Sequence, residues 1–253
     1  MMDVLENLRD VMDVLEKLRD DDQYYGKFGS QYLSNSDIGN LLSNPKEFRV
    51  KREDNPAFAK GRYFHQLILE PEKAAEFKSF DSSSRNTKGY KEYCLENELD
   101  FVMLDKELVE IQSWADTMLS NFDFFNDIRH DENEYEVPGI KEIGGVMWKG
   151  KADIVHPDML IDLKTTGNIN DFKWSARKYN YDSQAYIYEQ LFGKPLVFYV
   201  IDKTSKMLGI FKPTVATLDR GKEKVIKAIE VYNKFFAKDS PNDINNYFIS
   251  EEI

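Results

Sequence analysis

The feature that most constrains this chain is a β-hairpin predicted over residues 150–164. Apolar residues at 154–155 and 160–161 flank a Pro157-Asp158 turn signal, which is typical of two strands joined by a short loop. Side chains alternate between the two faces of a strand, and the register of pairing normally keeps one face apolar. A loop of two or four residues meets that condition and gives an apolar face made of Ala152, Ile154, Ile161 and Leu163.

The opposite face of this hairpin is strongly polar. The same register places Asp153 directly opposite Asp162, and Lys151 opposite Lys164. Cross-strand side chains lie roughly 5 Å apart at Cβ, where two ionised carboxylates repel each other unless a cation or a proton lies between them. A divalent metal would satisfy both acids, and Lys164 would then reach a water or a phosphate oxygen held there. The alternative interpretation is a surface hairpin with mixed charges.

A histidine upstream is a further candidate ligand. His65 lies among apolar residues in a helix predicted near residues 58–70. A single histidine on an apolar helix face is often a packed core residue, and histidine is also the commonest metal ligand among side chains. Its position alone therefore leaves both interpretations open.

Downstream of the hairpin, residues 171–192 are predicted to form one helix that carries a polar stripe. The stripe has the helical spacing i, i+4, i+7 and i+11, and it consists of Arg177, Tyr181, Gln184 and Tyr188. It is too polar for an ordinary core seam and too aromatic for an ordinary solvated face. This favours a surface that meets a polar ligand, and the alternative is a tyrosine-rich packing face with an arginine that reaches solvent.

Several short motifs follow one another in a fixed order between residues 30 and 200. They are Tyr32-Leu33-Ser34-Asn35-Ser36, Asn44-Pro45-Lys46-Glu47-Phe48, Gly61-x-x-x-His65, Leu69-Glu70-Pro71, Gly150-x-x-Asp153, Asp162-Leu163-Lys164-Thr165-Thr166 and Gln184-x-x-x-Tyr188. An ordered set of motifs is far more specific than any single one. This order resembles the RecB/RecE-like branch of the PD-(D/E)XK nuclease superfamily, and within it the phage-type exodeoxyribonucleases.

The resemblance implies a role for each matching residue. It implies that His65, Asp153 and Asp162 hold the catalytic metal, that the backbone carbonyl of Leu163 completes the site, and that Lys164 assists the attacking water. Asp162 stands where many relatives carry Glu, a replacement that shortens the reach of the carboxylate by one methylene. The resemblance further implies that two residues of the stripe, Gln184 and Tyr188, belong to the catalytic machinery as the family's Q-x-x-x-Y signature.

The implied activity is metal-dependent hydrolysis of DNA by an exonuclease. Oxygen ligands with one imidazole favour Mg²⁺ or Mn²⁺. Cys94 is the only cysteine, so the chain is expected to hold no four-cysteine iron–sulfur cluster. The resemblance suggests digestion of double-stranded ends from 5′ to 3′, a ring-shaped homo-oligomer and a single-strand annealing protein as partner in phage recombination. The alternatives are a structure-specific or restriction-like endonuclease, and a catalytically inert nucleic-acid-binding protein.

The net charge of −11 argues against DNA binding, because affinity for a duplex rests largely on Lys and Arg. The charges are unevenly distributed, however: residues 46–62 hold six Lys or Arg against three acids, whereas residues 1–22 hold eight acids against three bases. An extra carboxylate at the site is expected from Glu134 or Glu136, either of which is as readily an exposed strand acid. We expect nucleic-acid contacts from Arg62, Lys151, Arg177 and Tyr181.

The remaining pattern predicts an α/β fold with a mixed central β-sheet flanked by helices. Residues 31–253 are predicted to form the nuclease domain. Residues 1–30 are predicted to form an acidic helix, which ends near residue 22, and a linker, which begins near residue 20. The helix contains a near-perfect duplication whose copies begin at Met2 and Met12. No run of about 18 apolar residues occurs, so we expect a cytoplasmic enzyme without a membrane segment.

Overall fold

A five-stranded mixed β-sheet with helices on both faces organises this protein in a computed structural model that describes residues 2–50, 55–238, 240 and 242–249. The fold class predicted from the sequence is therefore confirmed. The helices and strands, in chain order, are α1 (Met2–Arg19), α2 (Asp21–Tyr25), α3 (Asn35–Ser43), α4 (Pro56–Leu69), α5 (Pro71–Ala75), β1 (Ser79–Phe80), α6 (Lys88–Glu96), β2 (Met103–Leu104), α7 (Asp105–Ser120), α8 (Phe122–Ile128), β3 (Glu134–Ile143), β4 (Val146–Val155), β5 (Leu160–Thr166), α9 (Phe172–Lys178), α10 (Tyr181–Phe192), β6 (Leu196–Asp202), β7 (Leu208–Phe211) and α11 (Val215–Phe235).

The main sheet runs in the order β3-β4-β5-β6-β7. Neighbouring strands are antiparallel except β5 and β6, which are parallel. A parallel pair needs a crossover connection, and α9 with α10 supplies it between β5 and β6. Helices that follow β5 are therefore placed against the strand that carries Asp162.

The sheet separates two apolar cores, and β6 contributes to both because it is buried along its whole length. Such a continuous apolar run is typical of a central strand covered on both faces. One core contains Val197, Tyr199 and Ile201 with residues of α4, α7 and α8. The other contains Leu196, Phe198 and Val200 with residues of α3, α10 and α11. Helix α4 and helix α10 thus pack on opposite faces of the same strands.

The segment between α5 and α7 forms a small unit that the sequence analysis did not identify. Strands β1 and β2 pair in parallel, and α6 packs on them through a separate apolar cluster. The hydroxyl of Tyr90 donates to the carbonyl of Val102 and accepts from its amide, both at 2.9 Å. The single cysteine, Cys94, is buried in this cluster as a free thiol.

The helix predicted over residues 171–192 is interrupted, and the prediction of one continuous stripe is wrong. Helix α9 ends at Lys178, and Asn180 adopts a left-handed backbone conformation with φ of 59° before α10 begins at Tyr181. Asparagine tolerates this conformation better than other residues with a side chain. The carbonyl of Asn180 accepts hydrogen bonds from Asn35 and Ser183, which hold the break in place.

The segment predicted as a linker is largely ordered in secondary structure. Helix α1 agrees with the predicted N-terminal helix, and α2 and a 3₁₀ turn at Gly29–Gln31 follow it. Tyr24 of α2 is buried, as is Leu18 at the end of α1. Two residues of the predicted basic cluster, Lys51 and Arg52, lie outside the described residues. Within the described part of the chain, no helix is long and apolar enough to cross a membrane.

A buried carboxylate ties the small unit to the main body. Glu107 of α7 is 8% exposed and accepts hydrogen bonds from Arg85 at 3.0 Å and from the amide of Leu104 at 3.0 Å. The ammonium of Lys60, in α4, lies 3.0 Å from the same carboxylate. Burial alone would raise the pKa of Glu107, but the hydrogen bonds and the two cations outweigh it and lower the pKa to about 2.

This depressed pKa gives a pH-dependent contribution to stability. It is fully present above the ordinary pKa of a glutamate, about 4.5, and is lost as pH falls towards the folded value near 2. Glu107→Gln should lower the free energy of unfolding by roughly 2–3 kcal/mol at pH 7, and the difference from wild type should shrink below about pH 5. Urea titrations between pH 7 and pH 3 measure it.

The matched control is Glu92→Gln, because Glu92 forms an exposed ion pair with Lys88 at 3.4 Å. An exposed pair contributes less than about 1 kcal/mol, so this variant should unfold like wild type at every pH. A Glu107→Gln deficit that stays constant with pH would show that the charge of this carboxylate does not stabilise the fold.

Candidate active site

The site is built where strands β4 and β5 part. The ladder between them contains the pairs Ile154–Ile161 and Val155–Leu160, which is the register predicted from the sequence. Beyond these pairs the amide of Leu163 donates to the Oδ2 atom of Asp153 at 2.8 Å rather than to the backbone of β4. The carboxylate of Asp153 therefore accepts the hydrogen bond that a backbone carbonyl accepts elsewhere in the sheet.

The regular alternation of β4 also breaks at this point. Ile154, Ile161 and Leu163 share the core beneath α4, as predicted, but Ala152 packs in the opposite core with α10. The predicted single apolar face is thus wrong for Ala152. On the neighbouring strand, Glu136 has a positive φ of 51°, and the β3–β4 register skips the residue pair at this position. Local distortions of this kind are common beside active sites, where they redirect a side chain.

The backbone of Leu163 faces the gap between the strands. The Nε2 atom of His65 lies 2.8 Å from the carbonyl oxygen of Leu163. The Nδ1 atom of His65 lies 3.5 Å from Oδ2 of Asp153. Helix α4 thus brings His65 against both a predicted carboxylate ligand and the predicted carbonyl ligand, although they are far apart in sequence.

Asp162 enters the same gap from the other face of the sheet. It is 2% exposed, and Gln184 of α10 donates to its Oδ1 atom at 2.5 Å. Its Oδ2 atom forms an ion pair with the ammonium of Lys164. Lys164 also lies over the ring of Tyr181, with its Nζ atom 5.0 Å from the ring centroid. The amide, the ammonium and the carboxylate therefore form one buried chain of polar groups.

The electrostatics of the gap reflect a concentration of buried acids. Burial raises the pKa of Asp153, and the negative charge of Asp162 acts in the same direction, whereas His65 opposes them. Burial and the charge of Asp153 raise the pKa of Glu136 to about 8. Glu136 lines the cavity while Glu134 is exposed, so of the two acids considered in the sequence it is Glu136 that lies near the site.

Lys164 is the cation that balances these acids. Its burial favours the neutral amine, but the carboxylates of Asp162 and Asp153 outweigh that effect and raise its pKa. Lys164 is therefore an ammonium at neutral pH. Lys151 and Lys164 are not paired across the hairpin as predicted, because the ladder between β4 and β5 ends at Ile154–Ile161. Lys151 bonds to Asp21 at 2.6 Å.

The donor atoms suit a divalent cation with a preference for oxygen. Asp153, Asp162 and the Leu163 carbonyl supply oxygens and His65 supplies a nitrogen, which is the ligand chemistry of Mg²⁺ or Mn²⁺ sites. In the described part of the chain, no three His, Cys, Asp or Glu side chains converge as a ready-made metal cage. The ammonium of Lys164 forms an ion pair with Asp162 in this arrangement, and its positive charge partly neutralises the carboxylates.

The side chains of His65, Asp153, Asp162 and Lys164 line a cavity of about 840 Å³. Its walls come from the parted strands, from α4 and α10, and from the N-terminal segment that the sequence analysis interpreted as a linker. The lining residues that were not predicted from the sequence to belong to the site are Asp21, Tyr24, Tyr25, Ser30, Tyr32, Ser34, Ser36, Asp37, Arg49, Phe58, Gly61, Gln66 and Glu70.

Helix α2 is held to the sheet by the lysines of β4. Asp21 accepts from Lys151 at 2.6 Å and from Lys73 at 3.0 Å. Lys149 donates to the carbonyl of Tyr24 and lies 4.0 Å from the centroid of its ring. Burial lowers the pKa of Lys149 to about 8. The two adjacent tyrosines in this acidic stretch were the sequence signal that the segment packs against the protein, since aromatic side chains are uncommon in a solvated linker.

The polar stripe separates into two residues that line the cavity and two that do not. Gln184 and Tyr188 line the cavity, and the hydroxyl of Tyr188 donates to the carbonyl of Lys151 at 3.0 Å. Tyr181 does not line the cavity itself but packs beside Lys164, which does. Arg177 is exposed on α9 and does not line the cavity, because the break at Asn180 turns that helix away.

Arg62 and Gly150 complete the placement of the motif residues. Arg62 lines the cavity from α4, one position after Gly61. Gly150 is required by packing, since a Cβ atom there would lie 2.8 Å from the ring of Tyr188. Tyr188 thus fixes β4 through both its ring and its hydroxyl, which is a positioning role.

The ion pair between Asp162 and Lys164 leads to a stability prediction. Asp162→Asn should lower the free energy of unfolding by roughly 1–3 kcal/mol in the absence of metal, because it leaves a buried ammonium without its partner. The double variant Asp162→Asn/Lys164→Met should recover most of that loss. Asp153→Asn, which removes a carboxylate whose pKa burial already raises, should not destabilise the apo protein. Thermal unfolding in a chelator measures all three, and equal losses in the two Asn variants would contradict this assignment.

Comparison with known proteins gives a family and a fold. The model of the PDDEXK-like domain of unknown function (DUF3799) matches residues 40–245. A crystal structure described as "Putative exonuclease" from Eubacterium rectale is 17% identical, with a TM-score of 0.62 over 92% of this chain and 95% of that chain. The structure of SSO0001 is 16% identical, with a TM-score of 0.33 over 72% of this chain and 88% of that chain, a value too low to support an argument. Comparison with curated proteins gives no match. The chain belongs to the PDDEXK-like family, and through it to the PD-(D/E)XK nuclease superfamily.

Proposed function

We propose that this protein is a metal-dependent deoxyribonuclease that digests DNA from its ends. The observation that carries the proposal is the gap between β4 and β5, where Asp153, His65 and the Leu163 carbonyl lie together beside the Asp162–Lys164 pair. The side chains of His65, Asp153, Asp162 and Lys164 line one cavity of about 840 Å³. Membership of the PD-(D/E)XK superfamily supports the same chemistry.

The contacts of these residues support a role for each of them. Asp153, Asp162, His65 and the Leu163 carbonyl would hold Mg²⁺ or Mn²⁺, which supplies a Lewis acid for the phosphate and lowers the pKa of water. Lys164 is an ammonium, so it stabilises negative charge on the phosphate by hydrogen bonding and does not act as a base from its resting state. Gln184 orients Asp162, and Tyr188 fixes the strand that carries Asp153.

The choice of an exonuclease rests on the wall that α2 adds to the cavity. Asp21 bridges Lys151 of β4 and Lys73 of α5, so the N-terminal segment spans two elements that flank the site. A site walled in this way suits an end of a strand better than the middle of a closed duplex. Digestion of double-stranded ends from 5′ to 3′, a ring-shaped oligomer, an annealing protein as partner and a role in phage recombination in the bacterial cytoplasm remain parts of this proposal that rest on the motif resemblance.

The decisive assay compares linear with covalently closed circular DNA in Mg²⁺. We expect loss of the linear form only, and Asp153→Asn or Lys164→Met should reduce the rate by at least about 100-fold because each removes a group that acts on the reacting phosphate. Asp116→Asn is the control, since Asp116 is an exposed acid of α7 outside the cavity. Cleavage of both forms would indicate an endonuclease. DNA binding without cleavage would indicate a catalytically inert nucleic-acid-binding protein.

The charge of the cavity predicts that DNA binding depends on a divalent cation. Five Lys or Arg and six Asp or Glu line the described cavity, so it is not positive without metal. Ca²⁺, which generally binds oxygen ligands, should raise DNA affinity roughly two- to tenfold at constant ionic strength. Asp153→Asn should raise affinity in a chelator and reduce the response to Ca²⁺. Fluorescence anisotropy measures both, and a wild-type response in the variant would contradict the role of Asp153.

A further inference from the structure

One face of helix α4 leads from the mouth of the cavity to the catalytic gap. Phe58, Gly61, Arg62 and His65 all line the cavity, and their spacing of i, i+3, i+4 and i+7 places them on one face of the helix. Seven residues of α-helix span about 10 Å along the axis. Phe58 therefore lies about 10 Å from His65 along the helix, with Gly61 between them.

Gly61 is unusual on this face because no packing against the residues that the structure describes requires it. It lies in the interior of α4, where glycine destabilises a helix relative to alanine. A Cβ atom at Gly61 would meet no atom of the described residues within 4 Å. The missing side chain leaves open space that faces the cavity. The room at Gly61 is therefore available to a ligand in the cavity.

Two aromatic side chains stand exposed where this face reaches solvent. Phe58 is 57% exposed and Tyr25, on α2, is 78% exposed, and both line the cavity. The Tyr25 ring makes an edge contact with the Tyr24 ring at 4.9 Å, which supports it from the protein side. Exposed aromatic faces beside a phosphate-binding site are the arrangement on which bases of an unpaired strand stack.

We propose that the Phe58–Gly61–His65 face of α4 is the track for one unpaired strand of nucleic acid, with its backbone against Gly61 and a base stacked on Phe58 or Tyr25. This rests on the proposed nuclease function and deepens it. Consecutive phosphates of a stacked strand are about 3.4 Å apart along the axis, so 10 Å corresponds to about three nucleotides. The stacked base is therefore about three nucleotides from the bond that is cleaved.

The first experiment fills the space at Gly61. Leucine is a good helix former, so Gly61→Leu should leave the melting temperature unchanged or raised by a few degrees. It should weaken binding of a single-stranded oligonucleotide in Ca²⁺ by at least about tenfold. The matched control is Gly89→Leu in α6, because a Cβ at Gly89 also meets no described atom within 4 Å and Gly89 lies outside the cavity. A stable Gly61→Leu variant with wild-type affinity would overturn the track.

The second experiment tests stacking directly with abasic oligonucleotides. A series carries one abasic site, moved one position at a time from the end, and binding is measured in Ca²⁺. Wild type should lose about tenfold affinity at one or two positions near the end, since stacking on an aromatic ring contributes a factor of this order for each base. Phe58→Ala with Tyr25→Ala should bind all members of the series alike. Phe122→Ala is the control, an exposed aromatic of α8 that is not part of the cavity.

The outcomes separate this inference from the nuclease proposal. Binding in Ca²⁺ that depends on base position without cleavage in Mg²⁺ would remove the nuclease function and leave the track. Cleavage in Mg²⁺ with equal affinity for every abasic oligonucleotide would remove the track and leave the nuclease. Tighter binding to a fully paired duplex with hairpin-closed ends than to a single strand would also overturn the unpaired track.

Discussion

The site depends on one hydrogen bond, between the amide of Leu163 and the carboxylate of Asp153. A buried backbone amide that loses its partner destabilises a protein by roughly 1–3 kcal/mol, so strands in a sheet do not part without compensation. The Asp153 side chain provides that compensation and lets β5 separate from β4. The Leu163 carbonyl, which faces the same gap, then becomes accessible to His65. The separation of β4 from β5 therefore brings Asp153, the Leu163 carbonyl and His65 together.

The two cores explain why groups from opposite faces meet in this gap. Helix α4 packs on one face of the sheet and carries His65, whereas α10 packs on the other and carries Gln184. An intact sheet would separate these side chains. Because a single layer of strands is open at Asp153, His65 approaches its carboxylate from one side while Gln184 holds Asp162 from the other. The crossover that places α10 follows from the parallel pairing of β5 and β6.

The parts of the molecule in which residues alternate with a regular period could be predicted from the sequence. The register of β4 with β5 follows from apolar alternation, and it is correct at Ile154 and Ile161. Ala152 packs in the opposite core because the strand is locally distorted, and a pattern of alternating apolar residues does not predict such a distortion. The break at Asn180 depends on a tertiary hydrogen bond from Asn35, which the local sequence does not predict either. For the same reason the contribution of α2 was missed: an acidic stretch becomes part of a wall only once the lysines of β4 are placed beneath it.

The acidic composition of the chain is compatible with the proposed binding of a phosphate in the cavity because most of the cations there are paired with carboxylates. Asp21 is about half exposed where it contacts Lys151 and Lys73. Ion pairs of exposed carboxylates contribute only about 0–1 kcal/mol, so a phosphate can replace such a partner without a large penalty. Lys164 differs, because its partner Asp162 is buried. Net charge therefore says little about this cavity. What decides its affinity for phosphate is which of its cations are bound to carboxylates that solvent already reaches.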